Sequence, residues 1–270
     1  MPTPSPALAV LLERGILYRC PDRDGLDAAL RAGPAAVAVR LDRPDLGLGS
    51  LPGLMALRWM QQAGHRPVVL LRPGADAGER SGPAREARWA ARLSRCLRTG
   101  EGPGDAAVID TGRWRDGLRE RAAWSGPDAA LAEALDVIEV GRRFGPVVRV
   151  GALDEADALE AGGIQAARLG AGPVASFTAV LAGDSRLRVA DGTSRALSLG
   201  REPGPWAQAL ADDVPRLLRL LTDLPLSRIQ AWARGAEGGL DAARQALGDS
   251  AARLFGEGGL VEEPALREVA

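Results

Sequence analysis

The sequence predicts a doubly wound α/β protein, a parallel sheet flanked by helices, followed by an all-helical appendage. Three observations lead there. Short apolar runs recur at Val37–Leu41, Pro67–Leu71, Ala106–Asp110 and Val147–Val150. They are too continuous to face water on one side, so they suit strands buried on both faces. Longer stretches with helical spacing of apolar residues separate them, which implies right-handed crossovers and parallel pairing. Beyond Asp191 the strand runs stop and helical patterns continue to Phe255.

Taken in order, a proline-rich start at residues 1–6 precedes an amphipathic helix at Leu8–Gly15, with Gly15 as its C-cap. Asp22–Leu30 is a second helix, with Asp22 or Asp24 at its N-terminus and Gly33-Pro34 beyond its end. The strand Val37–Leu41 leads into the turn Asp42–Gly49, and Ser50 is placed to cap the helix Leu51–Ala63. Gly64 stops that helix before the strand Pro67–Leu71, which completes a strand–helix–strand crossover. A polar loop, Arg72–Gly82, precedes the helix Pro83–Leu97, and Arg98–Gly104 is a surface turn. Helices are expected at Trp114–Trp124, Asp128–Arg142 and Asp154–Ala161, the last ended by glycines 162 and 163. The next stretch reads as a strand at Ala167–Leu169, a helix at Val174–Leu181 and a strand at Leu187–Ala190. After a loop at Asp191–Pro205 come helices at Trp206–Leu221, Leu226–Arg234 and Leu240–Phe255. The division expected is residues 1–199 for the α/β domain and 200–270 for the helical region.

Composition narrows the chemistry. An apolar fraction of 46% with 26% charge belongs to a globular chain. No apolar run approaches the ~18 residues of a membrane span, and the N-terminus lacks the basic region of a signal peptide. A cytoplasmic protein is expected, and two cysteines, Cys20 and Cys96, fit a reducing compartment. The single histidine, His65, leaves no raw material for a histidine metal cluster or a Ser-His-Asp triad. All 34 basic residues are arginine, and the net charge of −1 gives no general field for nucleic acid. Codon bias accounts for the arginines, with selection for phosphate contacts as the competing explanation.

The turn Gly47-Leu48-Gly49-Ser50-Leu51-Pro52-Gly53 presents a helix N-terminus suited to an anion. It fits a dinucleotide fingerprint poorly. The third glycine comes one residue late, and Arg72 stands where an acid would hold a ribose. A ligand-free strand–helix turn is the plain alternative.

Three segments carry a resemblance. LLERGILYRCPDRDGLDAALRAGP, RWMQQAGHRPVVLL with the following GERSG, and LRVADGTSRALSLG with ADDVPRLLRLLTDLPLSRI are similar to the catalytic domain of the class I tyrosyl-tRNA synthetases, as is a closing AARLFGEG. QQAGHRP is the most specific of these strings. The resemblance implies a Rossmann-like fold, covers most of the chain, and finds no anticodon-reading module after it. In that family a His-x-Gly-His turn and a Lys-x-x-Lys-Ser loop stabilise the α-phosphate and departing pyrophosphate. Here the first falls on Gly47-Leu48-Gly49-Ser50, keeping a glycine and a hydroxyl but no imidazole. The second falls on Ser194-Arg195-Ala196-Leu197-Ser198, with Ser194 and Leu197 at the lysine positions and Arg195 one place away. A remnant nucleotide site would thus comprise Asp42, Gly47, Gly49, Ser50, Ser194, Arg195 and Ser198.

The amino-acid pocket is altered too. The family's substrate-reading tyrosine falls on Ala38 and its aspartate on Asp157. A glutamine that holds the substrate amine becomes Asp154, the tyrosine four residues before it Val150, and the aspartate of its G-D-P-S-G loop Glu79. The family's G-G-S-D-Q-W segment falls on Gly170-Ala171-Gly172-Pro173-Val174-Ala175, without its polar residues. Solvated carboxylates are the plain reading of Glu79, Asp154 and Asp157, and His65 reads as structural. Each missing transition-state donor typically costs about 3–4 kcal/mol. Losing even two lowers the rate by roughly 10⁴.

The expectation is therefore a degenerate, non-aminoacylating protein that acts by binding, with no assigned catalytic residue and no metal. A repurposed enzyme acting on an amino acid or aminoacyl-tRNA is the alternative. A tRNA-binding module is a third, and would gather Arg113, Arg115, Arg119 and Arg121 on one face. No cofactor is required by the residues; ATP is the nucleotide the resemblance implies. Expected partners are a second copy of the chain, an amino-acid-like ligand or tRNA, and no membrane.

Overall fold

The computed structural model describes residues 3–41, 50–72, 82–112, 114, 129–152, 155–172, 174–179, 186–188, 194–199, 213–236, 238–255 and 260–262. Six strands form the main sheet: Leu17–Arg19 (β1), Ala36–Leu41 (β2), Arg66–Leu71 (β3), Ala107–Asp110 (β4), Val147–Gly151 (β5) and Val174–Ala179 (β6). Their order is β1-β6-β5-β2-β3-β4. All neighbours are parallel except β1, which pairs antiparallel with β6. This is a Rossmann-like doubly wound arrangement, with the chain leaving β2 toward β3 on one side and returning to β5 on the other.

The strands form where the apolar runs lie because only a position covered on both faces hides them. Val37, Ala38, Val68, Val69, Leu70, Val148 and Val150 are all without solvent contact. On one face, Ala36, Ala38, Val68, Leu70, Ile109 and Val147 pack with Val140, and Phe144 lies against them. Val140 and Phe144 belong to the helix Ala129–Phe144, labelled α5 after Pro6–Glu13 (α1), Arg23–Arg31 (α2), Leu51–Gln62 (α3) and Pro83–Leu93 (α4).

The first helices begin at real caps. Ser5 Oγ accepts from Leu8 N at 3.3 Å, and an Asp22 carboxylate oxygen accepts from Gly25 N at 2.8 Å. Such caps stabilise a helix by about 1 kcal/mol each. Gly64 ends the turn after α3 at φ 93°, where an L side chain is strained.

Four expectations are corrected. The helix Ala156–Arg168 (α6) runs straight through Gly162 and Gly163, and so includes Ala167, expected to be extended. Gly162 is a packing residue: a Cβ there would lie 2.5 Å from Glu133 Cγ and 2.9 Å from the Ala130 carbonyl oxygen. The absent side chain lets α6 approach α5 closely. Val174–Ala179 is strand β6 rather than helix, held between β5 and β1 with Phe177 and Thr178 buried. Pairing of the exposed β5 edge and the β-shaped Val174, Phe177 and Thr178 outweigh the alanines. Finally, Ser194–Leu199 (β8), placed in a loop, is the middle strand of a small antiparallel sheet between Arg186–Arg188 (β7) and Leu260–Glu262 (β9). Its two-residue alternation was masked by the turn-forming Asp191-Gly192. Strand β1 was also unanticipated.

Two units can be distinguished, residues 1–44 with 56–180, and residues 45–55 with 181–270. Within the second, Asp213–Leu221 (α7), Leu226–Ala233 (α8) and Gly239–Phe255 (α9) pack on one another through Leu217, Leu218, Leu221, Ile229, Trp232, Ala243, Leu247 and Leu254, all buried. Asp223, just after α7, pairs with Arg253 of α9 at 2.5 Å. The expected helix Trp114–Trp124 and the start of Trp206–Leu221 lie largely outside the described residues.

Candidate functional site

Open α/β sheets bind ligands beyond the carboxyl ends of the strands, where the strand order reverses. Here that point lies between β2 and β5, whose partners run Ala36↔Val147 to Val39↔Val150. Four charged side chains meet there. Arg149 of β5 donates from Nε and Nη2 to the two carboxylate oxygens of Glu133 on α5, the second at 2.9 Å. Its Nη1 donates to the Ala38 carbonyl at 2.6 Å. Arg40, near the end of β2, donates to Glu133 at 3.4 Å and to Glu155 Oε1 at 2.5 Å. Glu155 Oε2 in turn accepts from Ala152 N at 2.8 Å, tying the start of α6 to the residue after β5.

The network runs from fully buried to nearly so. Side-chain exposure is 2% for Arg149, 1% for Glu133, 12% for Arg40 and 20% for Glu155. Burial disfavours the Arg149 cation, but the Glu133 charge and its hydrogen bonds outweigh that and hold the guanidinium pKa above its ordinary value. Two cations face two anions, so each guanidinium and carboxylate is occupied by another group of the same chain.

A second charged anchor sits at the end of β4. Asp110 accepts from Arg85 Nη1 and Gly82 N, each at 3.1 Å, and from Gly112 N at 2.9 Å. Arg85 also donates to the Arg72 carbonyl at 3.0 Å. Both side chains are buried, so the pair fixes the start of α4 against the sheet. Asp136, one turn after Glu133 on α5, accepts from Trp114 Nε1 at 3.0 Å.

The predicted site residues fall apart into three groups. Asp42, Gly47, Gly49, Glu79 and Asp154 lie outside the described residues, as do Arg113, Arg115, Arg119 and Arg121. Ser50 opens α3, whereas Ser194, Arg195 and Ser198 stand on strand β8, where Ser194 pairs with Arg188, Arg195 with Leu187 and Ser198 with Val261. Ala38 and Val150 are both buried on neighbouring strands, but alternation puts them on opposite faces of the sheet. Asp157 is 95% exposed and bonds to Arg19 at 3.3 Å, as Glu160 does. The described pocket candidates are therefore not brought together.

The most specific string of the sequence is scaffold. His65 is buried and its Nδ1 accepts from Ala35 N at 3.2 Å, tying the α3–β3 turn to the start of β2. Gln61 donates to the carbonyls of Arg98 and Gly104 at 2.8 and 2.9 Å and accepts from Arg98 N at 2.8 Å, clamping the 98–104 turn. Sequence reading missed the Arg40–Glu133–Arg149–Glu155 network altogether. Its signal was available: a lone arginine inside each of AVAVRL and VVRVG demands a buried partner, and Glu133 and Asp136 fall on the apolar face of α5.

Among the described residues there is no group of histidine, cysteine and acidic side chains able to hold a metal. No described helix is long and apolar enough to cross a membrane.

No family model matches the chain. The fold matches the C-terminally truncated mitochondrial tyrosyl-tRNA synthetase of Aspergillus nidulans with a TM-score of 0.68 at 16% identity, covering 94% of this chain and 89% of that one. It also matches the Archaeoglobus fulgidus tyrosyl-tRNA synthetase complexed with L-tyrosine, with a TM-score of 0.63 at 13% identity over 92% and 97% of the two chains. The class of fold is that of the class I aminoacyl-tRNA synthetase catalytic domain. Sequence adds the closer relationship. The chain is 28% identical to the tyrosine–tRNA ligase of Rhodospirillum rubrum, covering 82% of this chain and 66% of that protein. It is likewise 28% identical to that of Caulobacter vibrioides, over 92% of this chain and 72% of the relative. A 66-residue segment reaches 50% identity with the Pseudomonas aeruginosa enzyme, over 24% of this chain and 16% of that enzyme. The chain is a relative of the class I tyrosyl-tRNA synthetases, similar to their catalytic domain, and spans about two thirds of the length of the curated relatives it matches.

Proposed function

We propose that this chain is a synthetase-like protein that has lost aminoacylation chemistry and acts by binding. The observation that carries the reading is the identity of the residues available for catalysis. The chain has no lysine, and its one histidine spends its lone pair on a backbone N–H of the scaffold. Activation of an amino acid needs preorganised donors where negative charge develops on the phosphates. The charged groups at the switch point are bonded to one another. The names of the relatives point to working ligases, and the proposal is that the shared scaffold outlived the chemistry.

On this reading residues 1–199 form the synthetase-type domain and 200–270 a helical region. The protein is cytoplasmic, pairs with a second copy of itself, and neither requires ATP nor contacts a membrane. A repurposed enzyme would need Glu79, Asp154 and Asp157 to converge, and the exposure of Asp157 speaks against it. Amino-acid-dependent exchange of pyrophosphate into ATP tests the reading: none above background is expected, and exchange above background would overturn it. Sedimentation at micromolar concentration tests the pairing, with a monomer as the contrary result.

A further inference from the structure

We infer that Arg40 is an internal ligand: held between Glu155 and Glu133 near the carboxyl edge of β2, it fills a cation seat between β2, α5 and α6. The inference stands on three observations within one unit of the molecule. Arg40 leaves β2 at the carboxyl edge, the place where this class of sheet receives ligands. Its guanidinium bridges three elements, from β2 to Glu133 of α5 at 3.4 Å and to Glu155 at the start of α6 at 2.5 Å. The second carboxylate oxygen of Glu155 is fixed by Ala152 N, so the acceptor is aimed before the cation arrives.

The charges define what kind of group the seat takes. Glu133 is already bonded through both oxygens to Arg149, which also donates to the Ala38 carbonyl. Glu155 therefore depends on Arg40 for its buried counter-charge, and the pair acts as a cation seat filled from within. A cationic ligand that takes this seat must displace Arg40 from a short, shielded ion pair. This bears on the binding function proposed above without resting on it. Pyrophosphate chemistry tests that reading, and seat occupancy is tested separately.

Arg40→Ala empties the seat and leaves the two acids. The wild type and the variant are compared by calorimetry in methylguanidinium chloride against sodium chloride at equal ionic strength. The expected result is a saturable rise in the variant's Tm, about 3–6 °C when methylguanidinium exceeds its Kd about ten-fold, and no difference for the wild type. Adding Glu155→Ala to the variant abolishes the rise. Should Arg40→Ala not fold, Glu155→Ala alone gives the mirror test, in which acetate but not chloride raises the Tm. Equal responses in wild type and variants, or rescue that survives the loss of Glu155, would overturn the inference.

Discussion

Replacing Glu133 by leucine is the most revealing perturbation of the fold. Arg149 then keeps its charge, because a guanidinium does not deprotonate in a protein, and loses both carboxylate bonds while 98% buried, keeping its hydrogen bond to the Ala38 carbonyl. Breaking a buried pair by removing one partner costs about 3–5 kcal/mol. Arg40 loses its weaker contact to the same carboxylate, which places the expected cost toward the upper end. At about 2–4 °C per kcal/mol for a chain of this size, the Tm falls by roughly 6–20 °C. The double variant Glu133→Leu/Arg149→Met removes both charges and should recover most of that loss, since apolar replacements of buried pairs are often neutral or stabilising. Urea and thermal denaturation followed by circular dichroism give the comparison. A Glu133→Leu loss below about 1 kcal/mol, the range of an exposed pair, would refute the argument that the network is desolvated. So would a double variant no more stable than the single one.

Two further outcomes follow from the packing and from the single histidine. Gly162→Ala should destabilise by about 1–3 kcal/mol because the added Cβ meets the Ala130 carbonyl oxygen and Glu133 at under 3 Å. Its neighbour Gly163→Ala, with nothing within 4 Å, should instead stabilise by about 0.5–1 kcal/mol, and urea midpoints read both. His65 has its pKa lowered from 6.5 by burial, and its Nδ1 must be unprotonated to accept from Ala35 N. A depressed folded pKa means the contribution is complete above about pH 6.5 and is lost as pH falls below it. Stability should therefore decline over that acidic interval, and His65→Ala should flatten the slope; one imidazole resonance titrating at or above 6.5 would contradict this.

The parallel sheet was legible because burial on both faces leaves a plain mark, as in AVAVRL and VVRVG. The crossover helices were legible for the same reason, their apolar stripes having somewhere to go. Gly162-Gly163 misled because a glycine pair reads as a helix end, whereas Gly162 is required by the closeness of α5. Val174–Ala179 misled because its alanines suit a helix and the β5 edge it satisfies is distant in sequence. The site was the least legible part. A family pattern guides the eye to the positions where its own catalytic groups stood, so the two arginines inside apolar strands passed as strand residues. Their meaning depends on Glu133 and Glu155, and pairings across 93 and 115 residues have no local signature.

The most direct test of the central claim is amino-acid-dependent exchange of pyrophosphate into ATP, run with tyrosine and then with each other amino acid. Losing two transition-state donors predicts at least about a 10⁴-fold deficit against a working synthetase, which leaves exchange at background. Exchange above background that depends on an amino acid would contradict the claim that this scaffold has outlived its chemistry.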